Sequence, residues 1–286
     1  MDTAELANVN ALLISIISMT FLFELTGALC LMPTFTEEFS PGRALWLSIF
    51  HSISAFNNAG FSLFPDSLVQ YAEDAWPMAV VSALIVIGGI GYQVIMEAFM
   101  WARDRIQRRK TRGVFSLHFK IVTSTTLILL LLGTLGFLLI EYDNPATLAG
   151  KSLGVKTLLA GFQSVVMRTA GFNSIDIGAM ETSALFVAIA LMFVGASPGS
   201  TGGGIKTTTV RILLVSTKAA LQGKEEVNCY QRQIPLDRVL KALSVVVASA
   251  ISVVIITTCI SVSDPDLTYI SILFESVSAF ATVGLS

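Results

Sequence analysis

Residues 50–62 read FHSISAFNNAGFS, and a close copy, FESVSAFATVGLS, occupies residues 274–286. A third copy lies between them at residues 162–173, reads FQSVVMRTAGFN, and is one residue shorter between its phenylalanine and its glycine. The three glycines are Gly60, Gly171 and Gly284. Self-similarity at a fixed period is typical of repeat architectures, so the sequence predicts units of about 112 residues.

The composition predicts a membrane protein. The chain has 286 residues, of which 53% are hydrophobic and 13% charged, whereas soluble domains carry about 25% charged residues. Apolar runs of roughly the 20 residues that cross a bilayer as a helix recur along the chain, and alternation typical of β-barrel strands is not seen. The runs lie at residues 9–32, 76–100, 119–140, 184–194 and 239–260, and most of them are near that length, so we expect membrane helices and an all-α fold.

Each glycine repeat follows a short amphipathic stretch that begins at the Phe-x-Ser motif. A helix of twelve residues rises only about 18 Å, which is too short to cross the hydrocarbon core. The stretch is therefore predicted to enter the membrane and turn back. Non-helical backbone at membrane depth is tolerated only where it is buried in protein or lines a water-filled cavity, so we expect the glycine loops to line a water path.

The chemistry of such a loop favours a cation. Glycine adopts positive φ at little cost, which lets consecutive carbonyl groups face the same way. The C-terminal end of the preceding short helix carries about half a negative charge. Rings of carbonyl oxygens can then replace the hydration shell of an ion. The alternative is that each glycine only permits close helix packing, but three evenly spaced copies favour an ion filter.

Charged residues predict the orientation in the membrane. Basic residues cluster in two polar segments, which the positive-inside rule assigns to the cytoplasm. Topology explains these clusters, and docking of a cytosolic regulator is the alternative. The clusters comprise Arg103, Arg105, Arg108, Arg109, Lys110 and Arg112, then Lys218, Lys224, Arg232, Arg238 and Lys241; the other connections carry Glu37, Glu38, Asp66, Glu73, Asp74, Asp143, Asp176, Glu181, Asp264 and Asp266.

Residues 183–217 are too long for one ordinary span and are interrupted by Pro198 and by consecutive glycines. Proline and glycine stop helix propagation, so we expect a half-helix, a loop near the middle of the membrane and a second helix from about Ile205. The segment resembles a nucleotide P-loop only superficially. Ile205 separates Gly204 from Lys206, and the segment follows an apolar span instead of a strand, which argues against phosphate binding.

The three glycine repeats and GASPGSTGGGIKTTT at residues 195–209 together resemble the Trk/Ktr/HKT superfamily of potassium transporters, most closely the Ktr-type membrane subunit. The resemblance implies helix, pore-helix, filter-loop and helix units around a pseudo-fourfold pore. It implies that potassium binds at the filter residues Asn58, Ala59, Gly60, Thr169, Ala170, Gly171, Thr282, Val283 and Gly284. It implies an intramembrane gate at Gly202, Gly203, Gly204 and Lys206.

The resemblance also sets the expected organisation. Residues 8–100 would form the second repeat, 101–118 a cytoplasmic basic loop, 119–217 the third repeat with an intramembrane loop at 197–204, 218–238 a cytoplasmic loop and 239–286 an incomplete fourth repeat. We therefore expect a fragment that lacks the first repeat and the last helix. The implied partners are a second copy of the chain, a cytosolic nucleotide-binding regulatory ring subunit and the lipid bilayer, without nucleic acid.

The expected function is potassium uptake across the plasma membrane, the inner membrane of a bacterium, through a carbonyl-lined filter gated by the glycine-rich loop. No cofactor is expected besides the transported ion, which is potassium, with sodium as the alternative. Other candidates are a sodium-conducting or sodium/potassium-cotransporting relative and an alternating-access transporter, which usually carries inverted repeats. An enzyme is not expected, because the two histidines, His51 and His118, are far apart in sequence.

Ionisable residues inside apolar runs are functional hypotheses by default. A guanidinium three residues before Gly171 would repel a cation, so Arg168 is expected to point behind the filter and to bond to backbone or to a carboxylate, with Glu275 as one candidate. Glu97 is expected to be structural and His51 to be a polar packing residue. The remaining residues singled out are Glu24, as a further ionisable group in a span, and Gly88, Gly89 and Gly91, as sites of close helix packing.

Overall fold

The computed structural model describes residues 3–108, 115–224 and 226–286. The regular secondary structure of these ranges is almost entirely α-helical, which confirms the all-α fold. Three basic residues of the first predicted cytoplasmic segment, Arg109, Lys110 and Arg112, lie outside the described residues.

The described helices follow one another in two similar groups of four and a third group of two. The first group contains α1 (Thr3–Thr36), α2 (Pro41–Phe56), α3 (Ala75–Ile90) and α4 (Tyr92–Ile106), with a 3₁₀ turn at Val69–Tyr71. The second contains α5 (Leu117–Ile140), α6 (Leu153–Val166), α7 (Thr182–Phe193) and α8 (Thr207–Leu221), with a 3₁₀ turn at Ile177–Ala179. A two-stranded antiparallel hairpin, β1 (Asn228–Cys229) and β2 (Arg232–Gln233), then leads to α9 (Leu236–Ser263) and α10 (Tyr269–Phe280).

Three of the described helices are long and apolar enough to cross a membrane, namely residues 9–36 of α1, α5 and α9. The apolar run at residues 76–100 does not form the single span expected from the sequence. It forms two helices, α3 and α4, bent by 103° at Gly91. Gly91 has φ 97°, a left-handed conformation that glycine adopts readily and that ends α3.

The short helices α2, α6 and α10 correspond to the predicted re-entrant stretches, and each packs beside the long helix before it. Ser52 of α2 donates a hydrogen bond to the carbonyl oxygen of Glu24 at 2.6 Å, and Ser164 of α6 donates one to that of Leu130 at 2.9 Å. A Cβ at Gly27 or at Gly133, one turn further along α1 or α5, would overlap the same serine hydroxyl. The serine of Phe-x-Ser therefore ties the short helix to the long one.

The third unit uses the equivalent serine differently. Ser276 bonds within α10, to the carbonyl oxygen of Ile272 at 2.7 Å.

The start of α10 is capped by Thr268, whose hydroxyl accepts a hydrogen bond from the backbone N–H of Ser271. Ser152 caps α6 in the same way, by accepting a hydrogen bond from the backbone N–H of Val155.

Two residues that the sequence singled out have packing roles. Glu97 accepts hydrogen bonds from the backbone N–H of Ser116 at 3.0 Å and from its hydroxyl at 2.7 Å, which ties α4 to the start of α5. His51 is fully buried, bonds to the carbonyl oxygen of Leu47 and the hydroxyl of Ser62, and stacks on Phe64. Both structural predictions are confirmed.

Candidate functional site

The three glycine loops follow the C-terminal ends of α2, α6 and α10 and share one backbone conformation. Gly60, Gly171 and Gly284 have φ of 71°, 75° and 83°, which confirms the predicted positive φ. The residue two positions earlier in each loop is also left-handed, with φ of 52° at Asn58, 75° at Thr169 and 56° at Thr282. Sequence reasoning missed this second position, although each copy has a hydrogen-bonding side chain there.

The residue between the two left-handed positions has no positive φ in any of the three loops. Alternation of the sign of φ turns successive peptide planes towards the same side, instead of to opposite sides as in a strand. Each loop can thus present consecutive carbonyl oxygens on one side, which is what a cation site made of backbone requires.

The three loops lie side by side. A Cβ at Gly60 would overlap the carbonyl oxygen of Ala170, and a Cβ at Gly171 would overlap that of Val283. A Cβ at Gly284 would meet nothing within 4 Å among the described residues. The loops therefore form an arc in chain order, closely packed between the first and second loops and between the second and third.

Serine hydroxyls hold two of the loops closed. Ser54 donates to the carbonyl oxygen of Phe61 at 2.8 Å, and Ser278 donates to that of Leu285 at 2.7 Å. The middle loop has no serine at the equivalent position. It is closed by the carbonyl oxygen of Val166, which accepts the N–H groups of both Ala170 at 3.0 Å and Gly171 at 3.3 Å.

Arg168 lies behind the middle loop and is 6% exposed. Its guanidinium donates to the carbonyl oxygen of Gly195 at 3.3 Å, so the predicted bond to backbone is confirmed. The suggested pairing with Glu275 is wrong, because Glu275 is exposed on α10 and no ion pair joins these two described residues. Arg168 instead links the loop after α6 to the segment after α7.

The segment between α7 and α8, residues 194–206, is not helical, as its proline and glycines predict. Helix α8 begins at Thr207, two residues later than expected. The segment closes on itself through a bond from the Ala196 N–H to the Gly203 carbonyl at 3.1 Å. The ammonium group of Lys206 reaches back to the carbonyl oxygen of Gly202 at 2.7 Å.

This segment packs against the first residue of all three glycine loops. A Cβ at Gly202 would overlap the hydroxyl of Thr169 and would lie 3.0 Å from the side-chain amide of Asn58. A Cβ at Gly203 would overlap the hydroxyl of Thr282. Two residues that the resemblance assigned to a gate, Gly202 and Gly203, thus lie against the first residue of each of the three loops that it assigned to a filter.

The break between α7 and α8 and the bend between α3 and α4 satisfy each other's backbone groups. The N–H groups of Ser197 and Thr201 donate to the carbonyl oxygens of Gly89 at 3.0 Å and Gly88 at 3.3 Å. In the opposite direction, the N–H of Tyr92 donates to the carbonyl oxygen of Gly199 at 3.1 Å. Backbone groups freed by a helix break at membrane depth need such partners.

The glycines at the bend make this contact sterically feasible. A Cβ at Gly88 would overlap the carbonyl oxygen of Phe56, one at Gly91 would lie 2.6 Å from that of Pro198, and one at Gly89 would lie 3.1 Å from the side-chain amide of Asn58. The predicted close packing against a neighbouring helix is confirmed for Gly88, which meets the end of α2, whereas Gly89 and Gly91 meet loop residues instead.

The hydroxyls of Thr169 and Thr282, the amide of Asn58 and the backbone carbonyls that meet here are neutral. Two cations lie beside them, Lys206 and Arg168, each bonded to a backbone carbonyl oxygen of the segment after α7. Neutral oxygen ligands suit a hard cation of low charge. Within the described ranges, no group of three or more His, Cys, Asp or Glu side chains is placed to hold a metal ion.

Comparisons with known proteins identify the family and the fold. A family model described as TrkH, cation transport protein, matches residues 1–286. The Ktr system potassium uptake protein B of Bacillus subtilis is 38% identical over 277 residues, which are 96% of this chain and 60% of that protein. The protein of the same name from Vibrio alginolyticus is 36% identical over 282 residues, covering 98% of this chain and 60% of that protein.

The potassium/sodium uptake protein NtpJ of Enterococcus hirae is also 36% identical, over 289 residues covering 100% of this chain and 62% of that protein. The crystal structure of the potassium transporter TrkH from Vibrio parahaemolyticus has the same fold, with a TM-score of 0.70 at 16% identity, and covers 99% of this chain and 64% of that one. The chain spans about 60% of the length of the curated relatives it matches.

Proposed function

This chain belongs to the TrkH family of cation transport proteins, and we propose that it takes part in potassium uptake by lining a selective ion path across the plasma membrane. The observation that carries the proposal is the threefold recurrence of a left-handed residue, one intervening residue and a left-handed glycine after a short helix. The relatives named as potassium uptake proteins support it further.

In this proposal the ion is bound by backbone oxygens of the three glycine loops. The nine filter residues are Asn58, Ala59, Gly60, Thr169, Ala170, Gly171, Thr282, Val283 and Gly284. The negative ends of α2, α6 and α10 precede these loops and favour a cation there. Rigid loops with fixed carbonyls can replace part of the hydration shell, which gives selectivity without chemical turnover.

The second candidate ion is sodium. A relative that is 36% identical is named a potassium/sodium uptake protein, and each loop has a single glycine instead of a long carbonyl strip. Parallel measurement of potassium and sodium uptake at equal concentrations distinguishes the two ions.

We further propose that the segment at residues 197–204 gates the path, with Gly202, Gly203, Gly204 and Lys206 as its central residues. The contacts of Gly202 and Gly203 with Thr169 and Thr282 support this role. A movement of the segment would break these contacts with the first residues of the glycine loops. The bond from Lys206 to the Gly202 carbonyl stabilises the closed arrangement.

The proposed organisation follows the repeats. Residues 8–100 and 119–217 each form a unit, residues 101–118 and 218–238 are cytoplasmic connections and residues 239–286 begin a further unit. Relatives named as parts of a Ktr system support a regulatory partner subunit. We place this subunit in the cytosol, docked on the basic connections, and we propose a second copy of this chain as the other partner.

The filter proposal is tested with Gly171→Ser and Gly284→Ser in the full-length protein. A Cβ disfavours the left-handed conformation by about 1 kcal/mol or more and disturbs the carbonyl ring. We expect both variants to lower potassium uptake or the preference for potassium over sodium in a potassium-requiring strain. Gly150→Ser, in a distant loop with φ 76° and open space around it, is the matched control. Unchanged affinity and ion preference in both filter variants would count against the assignment.

A further inference from the structure

A second polar site lies away from the glycine loops, between α8 and the β1–β2 hairpin. It is a cavity of about 560 Å³, and its described lining includes three cationic side chains, Arg211, Lys218 and Lys224, but only one carboxylate, that of Glu226. Arg211, Val215, Lys218 and Gln222 recur at helical spacing along one face of α8. The cavity is therefore a built basic pocket.

Arg211 is the most informative residue of the pocket. Its Nε is buried and has no hydrogen-bond partner among the described residues, and its guanidinium lies 6.0 Å from the ring centre of Tyr230. A buried donor without a partner is costly and points to a group that is not part of the chain. Guanidinium groups bind phosphate through parallel hydrogen bonds.

A favourable interaction with the dipole of α8 does not explain all three cations of the pocket. Lys218 lies in the last turn of α8, and Lys224 follows it closely, where cations interact favourably with the C-terminal end of a helix. Arg211 lies ten residues before the end of α8 at Leu221, about 15 Å away along the axis. The dipole effect is confined to the last turn, so it does not account for Arg211.

The depth of the pocket indicates the source of the phosphate. The hydroxyl of Tyr230 donates to that of Ser124 at 2.8 Å, and Ser124 lies about 10 Å along α5 from its start at Leu117. Because α5 is a candidate span, a hairpin bonded to it at this point is expected at the level of the lipid headgroups instead of in bulk cytosol. Tyrosine is enriched at that level of a membrane.

The pocket also has an apolar side. Leu214 and Val215 line it, and Leu214 is 60% exposed. Below it, Ile121, Cys229 and Ile234 form a small buried cluster that fixes the hairpin on the helices. A ligand with an anionic head and an apolar tail fits this combination better than a free anion does.

We propose that this pocket binds the headgroup phosphate of an anionic phospholipid of the cytoplasmic leaflet. Arg211 and Lys218 hold the phosphate, Lys224 closes the pocket on its open side, and the acyl chains lie along Leu214. The site is separate from the ion path, so binding does not depend on the proposed transport function.

The test uses the full-length protein, purified and delipidated in detergent, with dioleoyl phosphatidylglycerol and dioleoyl phosphatidylcholine as probes. Lipid binding is measured by native mass spectrometry. We expect the phosphatidylglycerol to bind in preference to the phosphatidylcholine. An Arg211→Gln, Lys218→Gln double variant should weaken that binding, by about fivefold for each cation removed. Lys241→Gln, which removes an exposed cation of α9 outside the pocket, should leave it unchanged.

Equal binding of the two lipids, or equal loss in the Lys241→Gln control, overturns the proposal. If inorganic phosphate or an acidic peptide displaces phosphatidylglycerol at similar concentration, the ligand of the pocket is not a lipid, and the proposal is overturned. If the double variant does not fold, the two lipids are made to compete for the unaltered protein. Absence of a preference for phosphatidylglycerol in that competition contradicts the proposed site.

Discussion

Three non-glycine residues, Asn58, Thr169 and Thr282, hold left-handed backbone at equivalent points of the glycine loops. Such a conformation costs about 1–3 kcal/mol at each residue and persists only where the surroundings impose it. Here the neighbouring glycine, the backbone bonds to the preceding helix and the packing of residues 202–203 impose it. Threonine is β-branched and is an unusual choice for this conformation. The repetition of this strain supports a functional role for the three loops.

Gly171 and Gly150 separate the cost of backbone strain from that of crowding. Both have positive φ, 75° and 76°, but a Cβ would overlap the Val283 carbonyl oxygen at Gly171 and would meet nothing at Gly150. Alanine at either position should cost about 1–2 kcal/mol through φ, and overpacking should add about 1–3 kcal/mol at Gly171 alone. Thermal unfolding in detergent measures the difference, and equal shifts of the midpoint would contradict the close approach of the loops.

Ser278 and Ser276 separate the closure of a loop from simple helix bonding. Both are buried in α10, but Ser278 donates to Leu285 across the loop, whereas Ser276 donates within its own helix. Ser278→Ala leaves a carbonyl without its partner and should cost about 1–3 kcal/mol, together with a loss of potassium selectivity. Ser276→Ala should change stability by less than about 0.5 kcal/mol. Stability and ion preference are measured on both variants. Similar losses in the two would contradict the proposed role of the Ser278–Leu285 bond in closing the loop.

At the scale of elements, the sequence predicted the long helices, the short re-entrant helices and the break before α8, because periodicity, length and proline or glycine content determine them. It did not predict the bend at Gly91. The apolar run continues through that residue, and a glycine there is explained equally well by close packing. The hairpin after α8 was also missed, because strands of two residues leave no periodic pattern. The bond between Ser52 and the Glu24 carbonyl joins residues 28 apart, and no local pattern shows such a partner.

The segment between α7 and α8 supports a prediction about flux. Deletion of Ser200 to Gly204 removes the backbone that packs beneath the three loops. We expect the full-length variant to conduct cations faster and to depend less on the proposed cytosolic partner. Flux into proteoliposomes, with and without that partner, measures both effects.

A milder variant controls for damage to the fold. Lys206→Met removes the bond to the Gly202 carbonyl and should raise flux in the same direction, whereas Lys241→Met, on the exposed side of α9, should not. Equal or lower flux in a correctly assembled deletion variant would leave the segment as a packing break.

At the scale of the molecule, the charges divide the connections into two sets. Lys151 and Glu73 pair between two acidic connections, next to the ends of α3 and α6. The two clusters of basic residues lie elsewhere, after α4 and around the hairpin. Composition predicted this division, but it could not predict that Gly202 meets Asn58 and Thr169 or that Gly203 meets Thr282, because those contacts depend on how the units pack together.

The predicted orientation is tested with single cysteines. Asp266→Cys, between α9 and α10, should react with a membrane-impermeant thiol reagent on intact cells. Lys224→Cys, before the hairpin, should react only after the membrane is opened. The parent protein measures the background from Cys30, Cys229 and Cys259. Labelling of Lys224→Cys on intact cells would reverse the assigned orientation.

The paired helix breaks have a consequence for the thermodynamics of opening. Ser197, Thr201 and Tyr92 donate their backbone N–H groups across the two breaks. If the segment after α7 moves away, the carbonyls of Gly88, Gly89 and Gly199 lose these partners at a depth where only water can replace them. If the segment is the proposed gate, its opening is a wetting transition. Its equilibrium should follow the activity of water, so that osmolytes excluded from the pore favour the dry, closed arrangement.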